Sequence, residues 1–133
     1  MARIDWAVVC ESAFFDRDDR LCLIGISRTL SVATLPCTLR QATLVARLTD
    51  IAPVDEVAVV VGMVSPSGYH GARPGTGHVA INMAGEYVLA SLRDIPLMEP
   101  GIHRFQVKLR GQPAVTVDVP VWPTDPSVSV HAQ

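Results

Sequence analysis

The sequence is poor in charged side chains and in long apolar runs. Only 18% of its 133 residues are charged, and 11 basic against 13 acidic side chains give a formal net charge of −2. Proteins that bind nucleic acid carry clustered basic charge, so this balance argues against nucleic acid as a partner. The longest apolar run, Val57 to Val64, has eight residues, whereas a membrane-spanning helix needs about 18. We therefore expect no membrane insertion.

We also expect neither an export signal nor a cysteine framework in this chain. Asp5 and Glu11 interrupt any apolar region near the N-terminus, and no small-residue cleavage site follows them. The chain contains three cysteines, an odd number, and they lack the spacing of a metal site: Cys10, Cys22 and Cys37. We expect a cytoplasmic protein whose three thiols are reduced and buried. A disulfide between Cys10 and Cys22, which a hairpin could bring near each other, would contradict that location. Ten of the eleven basic side chains are arginine, a bias that favours a bacterial source with a GC-rich genome.

Recognisable catalytic motifs are missing as well. The pattern Gly-x-Ser-x-Gly does not occur, so no serine has the local sequence of a nucleophile elbow. Cys10 and Cys22 lie in apolar segments, where burial raises the pKa of a thiol and lowers its reactivity. His103 falls on the apolar face of its segment, and such a histidine is more often a hydrogen-bonded core residue than a general base. We predict a non-enzymatic protein without catalytic residues, metal or cofactor.

What the sequence does contain points to β-structure. Valine, isoleucine and threonine together account for 34 residues, and these β-branched side chains fit a pleated sheet. Ten prolines and nine glycines fall mostly between the apolar runs, as turn residues between short strands do. We predict an all-β protein: an antiparallel β-sandwich of about seven or eight strands, of Ig-like, C2-like or jelly-roll type, with little or no helix. The length allows one domain, expected over residues 1–122 and followed by a flexible tail at 123–133.

Alternation of apolar and polar side chains locates most of the strands. Arg3 to Ser12 and Leu21 to Ile26, joined by the polar residues Asp16 to Arg20, form a predicted hairpin. Gly25 indicates a bulge or a close backbone approach in the second of these strands. Further strands are predicted over Leu30–Leu35, Leu39–Leu48, His103–Leu109 and Val115–Val121, the last with Pro120 at its end or on a sheet edge.

The stretch from His78 to Leu92 permits two interpretations. Apolar residues alternate before Gly85, and a second apolar segment begins at Val88. A strand interrupted near Gly85 is the preferred interpretation, and a short helix from Glu86 to Leu92 is the alternative.

Three parts of the chain together resemble a known group of sequences. They are Asp5–Glu11 with Leu21–Ile26, Ala42–Leu48, and Glu99–Val107. Their order and spacing resemble a family of short, uncharacterised bacterial proteins that look like stand-alone β-sandwich domains, and the resemblance extends from Asp5 to Val121. It implies the sandwich fold and no site residue, because the function of that family is unknown. His103 departs from the family pattern, in which an aromatic residue often follows the Pro-Gly turn.

The segment Glu56 to Val64 differs from the other predicted strands because both of its faces are apolar. Val57, Val59, Val61 and Met63 alternate with Ala58, Val60, Gly62 and Val64. One face of an antiparallel sheet normally meets water, and a flat apolar edge promotes aggregation. We therefore predict that this strand is either central or part of an interface, whose contact residues would be Ala58, Val60, Gly62 and Val64. The leading functional hypothesis is an interaction module that forms a homo-oligomer or binds a protein partner.

A ligand-binding sandwich is the alternative hypothesis. The glycine-rich loop 68–78 could bring backbone amides to an anion or a small molecule, and its candidate ligand residues are Tyr69, His70, Arg73 and His78. The Asp-rich loops offer carboxylates for a cation such as Ca²⁺, and these residues are Asp16, Asp18, Asp19, Asp50, Asp55 and Asp94. Arg17 and Arg20 lie within the first of these loops, so an ordinary polar turn is the preferred interpretation there. For the glycine-rich loop, a flexible connection is preferred over a ligand site.

Overall fold

The computed structural model describes residues 2–51, 59–68 and 78–124, and none of these residues is helical. They form nine strands, one more than the largest number expected from the sequence. The strands are β1 (Arg3–Phe15), β2 (Leu21–Ile26), β3 (Leu30–Val32), β4 (Cys37–Thr49), β5 (Val59–Val64), β6 (His78–Ala84), β7 (Tyr87–Leu97), β8 (Gly101–Leu109) and β9 (Val115–Pro123). In this described part there is accordingly no helix of the length and apolarity needed to cross a membrane. The prediction of an all-β protein is confirmed.

The nine strands form two open sheets. One sheet has five strands in the order β2-β1-β4-β7-β6, and the other has four in the order β3-β9-β8-β5. Six of the seven pairings are antiparallel, but β3 runs parallel to β9, with Leu30 opposite Val121. The expectation of a purely antiparallel arrangement is wrong at this pairing, because the chain changes sheets after β2 and meets β9 running in the same direction.

One hydrophobic core lies between the two sheets. The five-stranded sheet contributes Leu44 of β4 and Val88 of β7, and the four-stranded sheet contributes Phe105 of β8 and Val119 of β9. All four side chains are fully buried and belong to one continuous cluster. Burying a side chain of this kind stabilises a fold by about 1.5–3 kcal/mol, so this cluster is the main source of stability.

The strand β4 is covered on both of its faces. Its residues from Ala42 to Ala46 are all buried, although successive residues of a strand point to opposite faces. Leu44 belongs to the core cluster, whereas Val45, which is equally inaccessible, lies on the other face. The sequence analysis found two apolar faces in Glu56–Val64, but the strand that is buried on both faces is β4.

The two halves of β1 pair with different strands. In its first half β1 pairs with β4, and in its second half it pairs with β2. The ring centroid of Tyr87 lies 6.1 Å from that of Trp6 and 6.1 Å from that of Phe15. Nine extended residues would span about 30 Å, so β1 curves strongly to bring both of its ends to Tyr87. Since Tyr87 stands opposite Arg47, two residues from Val45, we infer that the curved hairpin covers the face of β4 on which Val45 lies.

The predicted β1–β2 hairpin is confirmed, and the interruption predicted near Gly85 is a turn between two antiparallel strands. Asp16–Arg20 joins β1 to β2. β6 continues into β7 through Gly85, whose φ of 60° lies in the left-handed region that favours glycine. Alternate residues of β7 face the core, so the helical alternative for Glu86–Leu92 is wrong.

Gly25 marks a close approach and not a bulge. The register between β1 and β2 is continuous through this position. Its φ is 67°, and a Cβ placed there would lie 3.1 Å from the Cβ of Glu11. A residue with a side chain at this position would therefore be strained both by its backbone and by its neighbour.

The last strand, β9, pairs with β3 in the part that follows Pro120. Pro120 precedes the first residue that pairs with β3, Val121, so it lies on a locally free edge, as predicted for a residue without an N–H group. β9 extends to Pro123, and the N–H of Thr124 donates to the carbonyl oxygen of Val32 at 2.6 Å. Pro123 and Thr124, the first two residues of the tail predicted at 123–133, thus belong to this pairing, and residues 125–133 lie outside the described residues.

Candidate functional site

The predicted interface strand lies at the edge of the four-stranded sheet. Among the described strands, β5 pairs with β8 alone. Val61 and Met63 are buried on the core side, at 8% and 2% exposure, whereas Val60 on the outer side is 64% exposed. Gly62 and Val64 are half-buried and alternate with the core residues. The prediction that this strand is central is wrong, because neighbours pair with it on one side only within the described chain.

The outer side of β5 borders a shallow concavity. A Cβ built at Gly62 would meet no atom within 4 Å. The concavity has a volume of about 240 Å³ and also reaches Gln106 and Lys108 of β8 and Ala114. The fourth predicted contact residue, Ala58, lies outside the described residues. Three of the four predicted interface residues therefore lie along one accessible strip beside a free edge.

The predicted ligand loop falls largely outside the described residues. Tyr69, His70 and Arg73 are not among them. His78 begins β6, where its backbone stands opposite Arg93. The hypothesis of a ligand site at 68–78 stays a prediction.

The first Asp-rich loop forms a hydrogen-bonded turn. The carboxylate of Asp16 accepts hydrogen bonds from the backbone N–H groups of Asp18 and Arg20, both at 2.9 Å, and from Nε of Arg20 at 2.9 Å. The backbone hydrogen bond from Arg20 is the main reason that the pKa of Asp16 lies below its ordinary value. The turn thus uses the oxygens that a cation would need. Within residues 2–51, 59–68 and 78–124, no group of three or more potential metal ligands lies together.

The three cysteines are free and differ in exposure. Cys10 is buried, while Cys22 and Cys37 are partly exposed, so the prediction of burial is confirmed for the first and wrong for the other two. Burial raises the pKa of the Cys10 thiol. Cys22 stands opposite Phe14 in the hairpin, four residues along β1 from Cys10. Four residues span about 13 Å of strand, so the register does not bring the two thiols within disulfide distance.

His103 is a core histidine, as predicted. It has no exposed surface, and its Nδ1 lies 3.2 Å from the carbonyl oxygen of Gly101. A carbonyl oxygen only accepts, so Nδ1 carries the proton, and Nε2 has no hydrogen-bond partner among the described residues. Burial lowers the pKa of His103. Nearby, the backbone N–H of Ser67 donates to Glu99 at 2.7 Å, and hydrogen bonding from Ser67 lowers the pKa of Glu99.

A cleft that the sequence analysis missed lies between the β1–β2 turn and the β6–β7 turn. It has a volume of about 610 Å³ and is lined by Phe15, Asp19, Gly85, Glu86 and Tyr87. These residues come from separate parts of the chain and follow no motif spacing, so the sequence contains no signal that joins them. The curvature of β1 assembles the cleft.

Arg47 lies beside this cleft between two carboxylates. Its Nη1 is 3.1 Å from Asp5 and its Nη2 is 3.3 Å from Glu86. The hydrogen bond with Glu86 raises the pKa of Arg47. In the register of the sheet, Arg47 stands between Trp6 and Tyr87. Its ion pairs therefore join β1, β4 and the β6–β7 turn at the base of the aromatic rings.

Comparison with known proteins yields a family match. The sequence profile of a family of unknown function matches residues 5–121, the extent that the sequence resemblance predicted. The match begins in β1 and ends in β9, so it contains every strand in whole or in part. No curated protein and no solved structure matches the chain.

Proposed function

We propose that this chain, which belongs to DUF6941, a family of unknown function, is a non-enzymatic interaction module that associates with a second copy of itself along the free edge of β5. The observation that carries the proposal is that no described strand pairs with this edge of β5. An edge strand presents a row of unpaired backbone N–H and C=O groups. Another extended chain is the partner that satisfies such groups most completely.

Within the described residues, the edge of β5 has none of the features that normally protect an edge strand. Natural sheets protect their edges with lysine, proline, bulges or very short strands. The six residues Val59–Val64 contain neither charge nor proline. Val60 is 64% exposed, and Gly62 adds no side chain that would obstruct an approaching strand. An apolar strand of this kind is stable in solution when a partner covers it.

The strand β2, at an edge of the other sheet, is also apolar but is better protected. Ile24 and Ile26 are 50% and 56% exposed. Gly25 between them has a φ of 67°, which interrupts the extended backbone that edge-to-edge pairing requires. The carboxylate of Glu11 lies close to the same glycine, with Oε2 3.2 Å from the position of a Cβ there. We therefore assign the contact to β5.

A second copy of the chain fits this edge. A twofold axis would place β5 antiparallel to itself, which closes the assembly as a dimer. Every residue of β5 is apolar or glycine, so the cross-strand pairs are apolar in any such register. The nearest positive side chains, Arg104 and Lys108, lie on β8 opposite Val64 and Val60. Across the dimer the two β8 strands would be about 14 Å apart, beyond the Debye length of about 8 Å in physiological salt.

An Ig-like topology is the second part of this proposal. The order β1-β4-β7-β6 against β9-β8-β5 corresponds to strands A-B-E-D against G-F-C of an Ig constant-type domain. In this correspondence β2 and β3 are additions at one edge of each sheet. The three free cysteines set the chain apart from antibody domains, which join their sheets by a disulfide. The strand order is our reason for preferring the Ig-like type to the C2-like and jelly-roll types.

The substitution Val60→Lys tests the association. In the proposed dimer each copy would carry the new charge on the paired edge, where lysine opposes edge-to-edge pairing and like charges repel, so we expect association to weaken by about tenfold or more. In the single chain the site is 64% exposed, so the free energy of unfolding should change by about 0.5 kcal/mol or less. Sedimentation velocity over a concentration series should show a dimer for the wild type and a folded monomer for the variant.

Ile24→Lys is the matched control. It also introduces a lysine at an exposed apolar position of an edge strand, and we expect it to leave the dimer intact. A wild-type protein that is monomeric at every concentration contradicts the proposal. So does a Val60→Lys variant that dimerises as tightly as the wild type, or dissociation caused by Ile24→Lys alone.

A further inference from the structure

The cleft between the two turns has the size and the walls of a small-molecule site. Its volume of about 610 Å³ falls in the usual range of ligand pockets, about 300–1,000 Å³. Phe15 and Tyr87 supply apolar walls, Gly85 supplies bare backbone, and Asp19 and Glu86 supply carboxylates at the rim. The lining thus combines aromatic surface with negative charge.

The aromatic rings form a corner. The rings of Phe15 and Tyr87 are inclined by 55° with centroids 6.1 Å apart, and Trp6 packs against Tyr87 at 52° and 6.1 Å. The Tyr87 ring therefore packs against both Phe15 and Trp6. The face of an aromatic ring carries the negative part of its quadrupole and attracts cations within about 6 Å of the ring centre.

The charges around the cleft are negative in balance. Arg47 is shared between Asp5 and Glu86, so two carboxylates surround one guanidinium. The turn Asp16–Arg20 has three aspartates against two arginines, and Arg20 is held by Asp16 and Asp18. Asp19 at the cleft makes no ion pair within the described part of the chain. An anionic ligand would be repelled here, whereas a cation would be attracted.

We propose that this cleft binds a small organic cation of the quaternary ammonium class. Such an ion carries its positive charge on methyl groups, which Phe15 and Tyr87 can contact without the loss of a tightly held hydration shell. Asp19, which has no ion-pair partner among the described residues, supplies the opposite charge, whereas Glu86 is already shared with Arg47. A bare metal ion is a poorer fit, because its six or more oxygen ligands are not available between aromatic walls. The cleft belongs to the five-stranded sheet and the contact proposed above to the other, so the two proposals are tested separately.

Choline and its neutral isostere 3,3-dimethylbutan-1-ol provide the test. The two molecules have nearly the same shape and differ in charge, so their difference in affinity reports the cation interaction. We expect choline to shift the backbone amide resonances of Gly85, Glu86 and Tyr87 saturably in NMR spectra. The isostere should bind about tenfold more weakly or not at all. Equal affinity for both molecules overturns the proposal, as does a lack of saturable shifts at these amides.

Variants at the ring and at the rim complete the experiment. Tyr87→Phe keeps the aromatic face and should bind choline within about twofold of the wild type, whereas Tyr87→Leu should lose about tenfold or more. The melting temperature of each variant identifies any loss of folding. Asp19→Asn changes an exposed turn residue whose φ is 57°, a conformation that asparagine tolerates, and it should weaken choline binding without affecting the isostere. If Asp19→Asn and Tyr87→Leu both fold and bind choline as the wild type does, the site is not in this cleft.

Discussion

Val45→Ala measures whether the second face of β4 is covered. The side chain of Val45 has no exposed surface and lies on the face opposite Leu44. The change removes two methyl groups, worth about 1.6 kcal/mol in transfer free energy, and leaves a small cavity whose cost adds to this. We expect the free energy of unfolding to fall by about 2–3 kcal/mol. For a chain of this length that corresponds to a melting temperature lower by about 8–12 °C.

Urea unfolding followed by circular dichroism provides the measurement. The slope of the free energy against urea concentration should stay constant, so that the shift in midpoint reports stability alone. Val60→Ala makes the same chemical change in another strand at 64% exposure, and at dilute, monomeric concentration it should cost about 0.5 kcal/mol or less. If Val45→Ala costs no more than Val60→Ala, the second face of β4 is solvated and the curvature of β1 does not cover it.

Two further predictions concern titration and reactivity. Burial lowers the pKa of His103, so the native imidazole stays neutral while the unfolded chain binds a proton below about pH 6.5. The contribution of His103 to the free energy of unfolding is therefore complete above that pH and is lost as the pH falls. Urea midpoints of His103→Phe should therefore vary less between about pH 5 and pH 7.5 than those of the wild type, and equal pH dependence in the two proteins would show that His103 is not the cause. An excess of thiol reagent should modify Cys22 and Cys37 in the native protein and Cys10 only after denaturation, since only Cys10 is buried; modification of all three without unfolding would contradict the burial of Cys10.

Short-range patterns in the sequence determined the elements of this protein. Apolar alternation and turn residues predicted the β1–β2 hairpin, the break at Gly85 and the strand that contains His103, because each depends on residues close together in the chain. The same alternation placed Val61 and Met63 on the core side of β5, with Val60 on the other side. These features require only that side chains alternate across a strand and that glycine adopts a left-handed φ.

The tertiary structure alone decided which strands are neighbours. The sequence pattern distinguished β5 as the strand with two apolar faces, yet β4 is the strand that lies between two others, β1 and β7, whereas β5 has β8 on one side only within the described chain. The cleft beside Tyr87 exists because β1 curves until Phe15 and Trp6, nine residues apart, reach the same ring. Pairing order and strand curvature depend on contacts between distant parts of the chain, and the period of two in a strand pattern contains no information about which strand lies beside it.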